Sequence, residues 1–330
     1  MTPALFDRAL DFTVLPGYSR IGFALRKPRW QDAAERTLEG RVALVTGASS
    51  GLGEAACEGF VRAGAKVHML VRDFERGAKA VSRIASRVPG ARGAIELEVC
   101  DLSDLSGIRR FAEAFQARHE RLALLVHNAG VLEQERGHTS DGIERTFAIN
   151  VLGPFLLTSL LLPALLEAAP SRVITVSSGG MYAARLDAEV PQLEHRDFDG
   201  PAFYAHSKRA QVALNSVWAE QFRAGEIAFH AMHPGWVDTP GLRSSLPRFR
   251  RVMRPFLRDP HQGADTIVWL GTRRALDPAT GGFWHDRAPR PQHRLPSSHE
   301  TRADRERLWA YCDRLATTAG KRPGVPVTAA

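Results

Sequence analysis

Val42-Ala43-Leu44-Val45-Thr46-Gly47-Ala48-Ser49-Ser50-Gly51-Leu52-Gly53 decides how the rest of the chain is read. A short apolar run breaks into a glycine-rich turn, and a helical stretch from Gly53 to Ala63 follows. Lys66 to Val71 then reads as a second strand, giving the order strand, turn, helix, strand. Glycines in such a turn let the backbone approach a pyrophosphate without a Cβ in the way. The helix start adds unpaired N–H groups and the positive end of its dipole. Tight turns use glycines routinely. The strand-to-helix setting is what marks Thr46, Gly47, Ser49, Ser50, Gly51, Leu52 and Gly53 as a cofactor-binding set.

Outward from this stretch the alternation continues. Ile95 to Val99 reads as a strand, Leu105 to His119 as a helix and Leu122 to His127 as a strand. A long helix over 142–168, a strand Val173 to Val176, a helix over 204–223 and a strand Ile227 to Met232 follow. Strands separated by helices of this length predict an α/β, doubly wound parallel sheet, Rossmann-like. Beyond Trp236 the order loosens into a basic, proline-containing segment to Pro260 and a short helix Ala264 to Leu270. A Pro- and His-rich turn region over 288–298 precedes a last amphipathic helix from Arg302 to Ala316. The expectation is one catalytic domain over 40–290, with an N-terminal extension 1–39 and a C-terminal extension 291–330 holding one helix.

The 330 residues, 44% apolar and 24% charged, can bury a sizeable core without metal or disulfide support. Cys57, Cys100 and Cys312 are odd in number and far apart, so they read as buried thiols in a reducing compartment. The formal charge of +8 admits nucleic acid, a membrane surface or an anionic ligand. No helix-turn-helix, zinc-finger or RNA-binding signature supports the first, so no nucleic-acid partner is expected. No run approaches the ~18 unbroken apolar residues of a membrane-spanning helix, and Asp7, Arg8 and Asp11 argue against a secretory signal, so a cytoplasmic protein is expected. Residues 1 to about 39 read as an extension packed on the main domain, the alternative being a peripheral membrane contact through Leu5, Phe6, Phe12 and Phe23.

Candidate chemistry collects at strand ends. An acidic residue ending the second strand would take a ribose 2′-hydroxyl, whereas an arginine favours a 2′-phosphate. Val71-Arg72-Asp73 presents the arginine, unless Arg72 is merely a surface charge, and Asp73 reads as the cap of the next helix. Tyr204 and Lys208 stand four apart on a predicted helix and share a face, so an ammonium can pull the phenol below its free value near 10. Ser178 lies at the end of a predicted strand, where a parallel sheet meets its ligand crevice. His230 and His233 have no further ligands near them in sequence, so no metal site is expected there.

Thr46-Gly-x-x-x-Gly-x-Gly53, Asn128-Ala129-Gly130, Ser178 and Tyr204-x-x-x-Lys208 together resemble the short-chain dehydrogenase/reductase family over residues 41 to about 240. That resemblance implies NADP(H)-dependent hydride transfer between a carbonyl and an alcohol, with Arg72 at the basic NADP-selecting position. It implies that Asp101 and Leu102 contact adenine, that Asn128, Ala129 and Gly130 stabilise the sheet, and that Ser178 binds the substrate oxygen beside a structural Ser177. Asn150 matches the asparagine that kinks a helix and positions a water next to the lysine. Pro234, Gly235, Val237 and Thr239 match the segment that closes over nicotinamide, with His233 read as backbone packing. In the reduction direction Tyr204 donates the proton, and Lys208 with Asn150 restores it. The helices over 142–168 and 204–223 match a pair that forms a homodimer seam, which the terminal extensions could cover. Val176 to Met181, Met232 to Trp236, Gln262 to Asp265 and Trp284 to Arg287 resemble more narrowly the member-twelve branch of the family.

Residues 241–260 form the expected flap over the pocket, with Arg243, Arg248, Arg250, Arg251, Arg254 and Arg258 among Leu246, Phe249, Val252, Met253, Phe256 and Leu257. Two readings stand: a helix with a packed apolar face and a solvated basic face, or a lid for a small or lipophilic aldehyde or ketone. The alternative to an enzyme is an NADP-binding regulatory protein on the same fold.

Overall fold

The computed structural model describes residues 3–30 and 37–318; residues 1–2, 31–36 and 319–330 of the expected extensions lie outside the described residues. Three short helices come first: α1 (Pro3–Phe12), α2 (Val14–Tyr18) and α3 (Arg20–Arg26). The first half of the sheet follows as β1 (Val42–Thr46), α4 (Gly51–Arg62), β2 (Lys66–Val71), α5 (Phe74–Arg87), β3 (Ile95–Val99), α6 (Leu105–Arg118) and β4 (Leu124–His127). Next, α7 (Arg145–Phe147) runs through a π-helical turn, Ala148–Leu152, into α8 (Gly153–Glu167). Then come β5 (Ser171–Val176), α9 (Gly200–Gln221), β6 (Ile227–Met232), α10 (Pro240–Ser245), α11 (Pro247–Met253), α12 (Pro260–Thr272), β7 (Phe283–His285), β8 (Ala288–Arg290) and α13 (Arg302–Thr318).

The strands lie in the order β3-β2-β1-β4-β5-β6-β7-β8, parallel except for β8. The order reverses between β1 and β4, and that reversal opens a crevice at their carboxyl ends. This is the expected doubly wound α/β sheet. Local chemistry sets the helix starts: Asp73, Asp104, Asp199 and Asp259 each accept a backbone N–H of the turn they cap. One core layer lies under α6, α8, α9 and α13, and a second under α4, α5 and α12.

Three features depart from the sequence reading. The helix expected over 142–168 begins only at Arg145; its π-helical turn at Asn150 lies where the resemblance implied a kink, with that side chain bonding out of the helix to Val131. The turn region over 288–298 contributes β8, which hairpins with β7; at three residues each, the two strands are too short to show a period. Asp286 and Arg287 form that hairpin's tip at φ of 52° and 58°, left-handed backbone that non-glycine residues adopt at a cost. Phe23, offered as a membrane-contact residue, is 5% exposed, and Arg29 covers the Phe6 ring at 4.4 Å. Phe12, Val14, Leu15, Ile21 and Leu25 are the exposed apolar side chains of this region, while the Leu5 side chain lies outside the described set.

The continuous helix Arg145–Glu167 is long and apolar enough to cross a membrane, yet 83% of its apolar window is buried in the protein core. Its outer side is covered by α13: Trp309 meets Phe155 at 4.9 Å and Trp218 at 4.4 Å, ring centroid to centroid. Cys57, Cys100 and Cys312 are all buried and unpaired with one another, as expected. At the sheet edge His68, Glu96, Glu98 and His119 bring ligand-type atoms within 4.8 Å of one another, and the Arg118 guanidinium pairs with both carboxylates there.

Candidate active site

The glycine-rich turn ends β1 and starts α4. Gly47 has φ of +66°, and a Cβ there would stand 2.8 Å from the Cα of Ala129. Thr46 ties the two strand ends together: its Oγ1 accepts from the backbone N–H groups of Asn128 and Ala129, both at 3.0 Å. Asn128 replies with Nδ2 donating to the carbonyls of Thr46 at 2.9 Å and Gly47 at 3.1 Å, and Gly53 packs against this amide. Arg83 holds the Ser49 carbonyl, and Leu52 packs toward Gly263.

Ser50 precedes α4 without a side-chain cap, so the first-turn N–H groups of the helix face the crevice unclaimed by it. Gly51 keeps the surface bare, with the methyl of Thr239 closing from above, 3.3 Å from where its Cβ would be. A cradle whose glycines leave the backbone bare, at an uncapped helix start, fits the diphosphate of a dinucleotide.

Arg72 is exposed at the end of β2 and makes no ion pair among the described residues, while Asp73 caps α5 as read from the sequence. Asp101 binds the N–H and hydroxyl of Ser103, both at 2.8 Å, and Leu102 is buried, its carbonyl against Gly153. Val237 is likewise buried, and the Thr239 hydroxyl caps α10 through Leu242. Gly130 lies beside the Lys208 ammonium, and a Cβ there would come within 3.2 Å of Nζ.

Tyr204 and Lys208 share one face of α9, with Nζ 5.4 Å from the phenol ring centroid. Burial holds the Tyr204 phenol above its ordinary 10, opposite to the lowering expected from the neighbouring ammonium, and a hydrogen bond with the Ser178 hydroxyl offsets only part of that rise. Ser178, just past β5, also accepts from Gly180 N–H at 3.2 Å, whereas Ser177 donates to the Lys208 carbonyl at 2.9 Å and only supports α9. Lys208 is 3% exposed, and burial alone lowers it to about 7. Its Nζ donates to the Val176 carbonyl at 2.9 Å and to Gln211 Oε1 at 3.2 Å.

Asn150 joins this group through both its side chain and its backbone. Its Oδ1 accepts from Val131 N–H at 2.8 Å, and its Nδ2 donates to Val131 O and Ser207 Oγ, each at 2.9 Å. Its backbone carbonyl accepts from Gln211 Nε2 at 2.6 Å. Sequence reasoning missed Gln211, which at Lys208 plus three looks like any polar residue of a long helix. The spacing to Lys208 was the available signal.

The loop over the crevice is fastened from outside. Gly235 has φ of +77°, and a Cβ there would meet the Tyr18 carbonyl at 2.5 Å and Arg258 Nε at 2.7 Å. Arg258, counted in the flap from sequence, is instead buried: it donates to Pro234 O and Ser19 O at 3.2 Å and pairs with Asp286. His233 stacks on His285 at 3.9 Å and takes the Gly235 N–H, so it packs as expected. The flap forms α10 and α11, with Arg243 and Arg250 both clamping Asp238. Arg248, Arg251, Arg254 and Val252 are exposed, and a cleft of about 300 Å³ opens among Arg243, Pro247, Arg250, Arg251 and Arg254.

Residues 41–248 match the family described as short chain dehydrogenase. Dehydrogenase/reductase SDR family member 12 of Bos taurus is 40% identical over 306 residues, spanning 91% of this chain and 94% of that protein. Retinol dehydrogenase 12 of Homo sapiens is 35% identical over 251 residues, 76% of this chain and 78% of its own length. Among solved structures, an uncharacterized protein from Mycobacterium paratuberculosis superposes with a TM-score of 0.68 at 26% identity, over 86% of this chain and 98% of that one. The Pseudomonas aeruginosa RhlG/NADP active-site complex superposes with a TM-score of 0.61 at 26% identity, over 75% and 95%.

Proposed function

The chain belongs to the short-chain dehydrogenase/reductase family of oxidoreductases, in the branch of dehydrogenase/reductase SDR family member 12, and from that premise we propose that it interconverts a carbonyl and an alcohol using NADP(H). The observation that carries this reading is the phenol of Tyr204 beside Ser178 with the Lys208 ammonium one helical turn away, 5.4 Å from its ring centroid. When bound, the nicotinamide supplies or accepts the hydride. Thr46, Gly47, Ser49, Ser50, Gly51, Leu52 and Gly53 form its diphosphate cradle, and Asp101, Asn128, Ala129, Gly130 and the 234–239 loop complete the crevice.

In the reduction direction Ser178 and Tyr204 hold the carbonyl oxygen, and the Tyr204 O–H gives it a proton as negative charge develops. The phenolate left behind is stabilised by the Ser178 hydroxyl and by the ammonium of Lys208. Preference for NADPH is supported by the exposed Arg72, placed to meet a 2′-phosphate, and by the similarity to a structure described as an NADP complex. A lipophilic aldehyde or ketone is supported by the apolar side chains of the flap and by relatives named retinol dehydrogenases.

The test is NADPH consumption across a panel of lipophilic aldehydes and ketones, with the Tyr204→Phe variant alongside. Turnover should fall roughly 100- to 10,000-fold in the variant while NADPH binding, followed by its fluorescence, persists. A wild-type chain that binds NADPH and oxidises it with no carbonyl is a regulatory binder, and the proposal fails.

A further inference from the structure

Asn150 has spent both ends of its side chain on Val131 and on Ser207 of α9, so what it offers toward Gln211 and Lys208 is its backbone carbonyl. The carboxamide of Gln211 fills the space between that oxygen and Lys208, donating to one at 2.6 Å and accepting from the other at 3.2 Å. Gln211 is 4% exposed and lies one turn beyond Lys208, so its reach is set by the helix itself. One planar group thus spans the place where the family resemblance implies a water. We propose that Gln211 is a positioning residue of the catalytic group, standing in for that water, fixing the Lys208 ammonium and closing proton exchange past Asn150. The proposal rests on the roles given above to Tyr204 and Lys208.

Amide and water differ in what they transmit. Water accepts a proton on one side and releases another from the same oxygen. A carboxamide carries its donor and acceptor on different atoms, and passing a proton through it requires an imidic acid. Gln211 can therefore hold a cation without relaying its proton. Around Nζ stand Val176 O from β5, Gly130 beyond β4, and Tyr204 and Gln211 from α9; no carboxylate is among them in the described residues. Two of the three ammonium N–H groups are taken, which leaves the third for the cleft. The proton balance then closes on the other side. Tyr204 gives one proton to the alcohol product and regains one from solvent through the mouth of the cleft, where it is partly exposed.

Two measurements test this. In the cofactor-free protein, the Nζ titration of Lys208 is followed by ¹⁵N NMR in wild type, Gln211→Met and Gln211→Glu. Losing an acceptor of the charged form should lower the Lys208 titration by about one pH unit in the Met variant, and the carboxylate should raise it. In turnover, the solvent deuterium inventory of NADPH oxidation should be linear in wild type and curved in Gln211→Ala, where a water can enter. A Met variant that is folded by circular dichroism, binds NADPH and titrates like wild type overturns the positioning role. A curved wild-type inventory overturns the closed route. If the Glu variant does not fold, the Met variant decides. NMR shifts without any Tyr204-dependent turnover leave Gln211 in place and remove the proposed function instead.

Discussion

Arg258 meets Asp286 through two parallel bonds, Nη1 to Oδ1 at 2.6 Å and Nη2 to Oδ2 at 2.8 Å, and both side chains are 1% exposed. Arg26 adds a third bond to the same carboxylate at 2.8 Å, and the pair holds the hairpin tip against its left-handed backbone. Removing the carboxylate leaves the buried Arg258 guanidinium without a carboxylate partner and Arg26 with Asp7 alone. Asp286→Ala should therefore cost about 3–5 kcal/mol in urea unfolding at neutral pH.

Burial by itself would raise the Asp286 carboxyl, but Arg258 and Arg26 overrule it and hold it below its ordinary 3.8. The stabilisation is then complete above about pH 4, where an unfolded aspartate is ionised, and fades as pH falls through the lower folded value. The gap between wild type and Asp286→Ala should narrow on acidification below about pH 4. A gap that stays constant down to pH 2 removes the ion pair as its cause.

Lys208 gives a slope of the same sign in a different pH window. Burial brings it to about 7, far below an unfolded lysine near 10.4. Between those values the unfolded chain binds more protons, so wild-type stability rises with pH over that window and is lowest below it. Lys208→Met should erase the slope and be more stable at neutral pH, by an amount on the order of a few kcal/mol, while turnover is lost. Chemical denaturation at pH 6.5 and 9.5 checks both halves. Equal slopes in variant and wild type would place the titrating group elsewhere.

Arg72 should choose the cofactor. Because no neighbour among the described residues pairs with it, Arg72→Ala removes a phosphate contact without loosening the fold. NADPH binding should weaken roughly 10- to 100-fold with NADH little changed, the range expected of one charged hydrogen-bonding contact. Parallel fluorescence titrations with the two cofactors decide it, and equal losses for both would count against the assignment.

The helix pair α8 and α9 would be a natural dimer surface were it bare. Here Leu308 and Cys312 are inaccessible, and Trp309 caps Phe155 and Trp218. Ending the chain at Thr301 should uncover this apolar face and drive self-association, read as a mass increase by light scattering. A truncated chain with the same association state and melting temperature as the full chain means that α13 is not the cover.

Much of this was legible because it is local. A strand-turn-helix unit declares itself within twelve residues, and Tyr204 and Lys208 announce a shared face by their spacing alone. What escaped is what only three dimensions bring together. Arg258 looks like one more flap cation until the loop that begins at Pro234 folds over it and Asp286 arrives from a hairpin. Gln211 acquires meaning only once the π-helical turn has presented the Asn150 carbonyl. Likewise β7 and β8 are three-residue strands that exist because β6 offers an edge, and no period can reveal them.

Tyr18 sets its ring against Gly179, and its carbonyl accepts from the Trp236 N–H at 2.8 Å. Its neighbours on α1 to α3 are anchored in the same way by Arg258, His285, Asp286, Arg290 and Arg294. During synthesis these first helices leave the ribosome almost three hundred residues ahead of their last berth. They cannot take these bonds until residues 258–294 have also been made, so a segment synthesised before the sheet docks only after the sheet that separates it from its anchors.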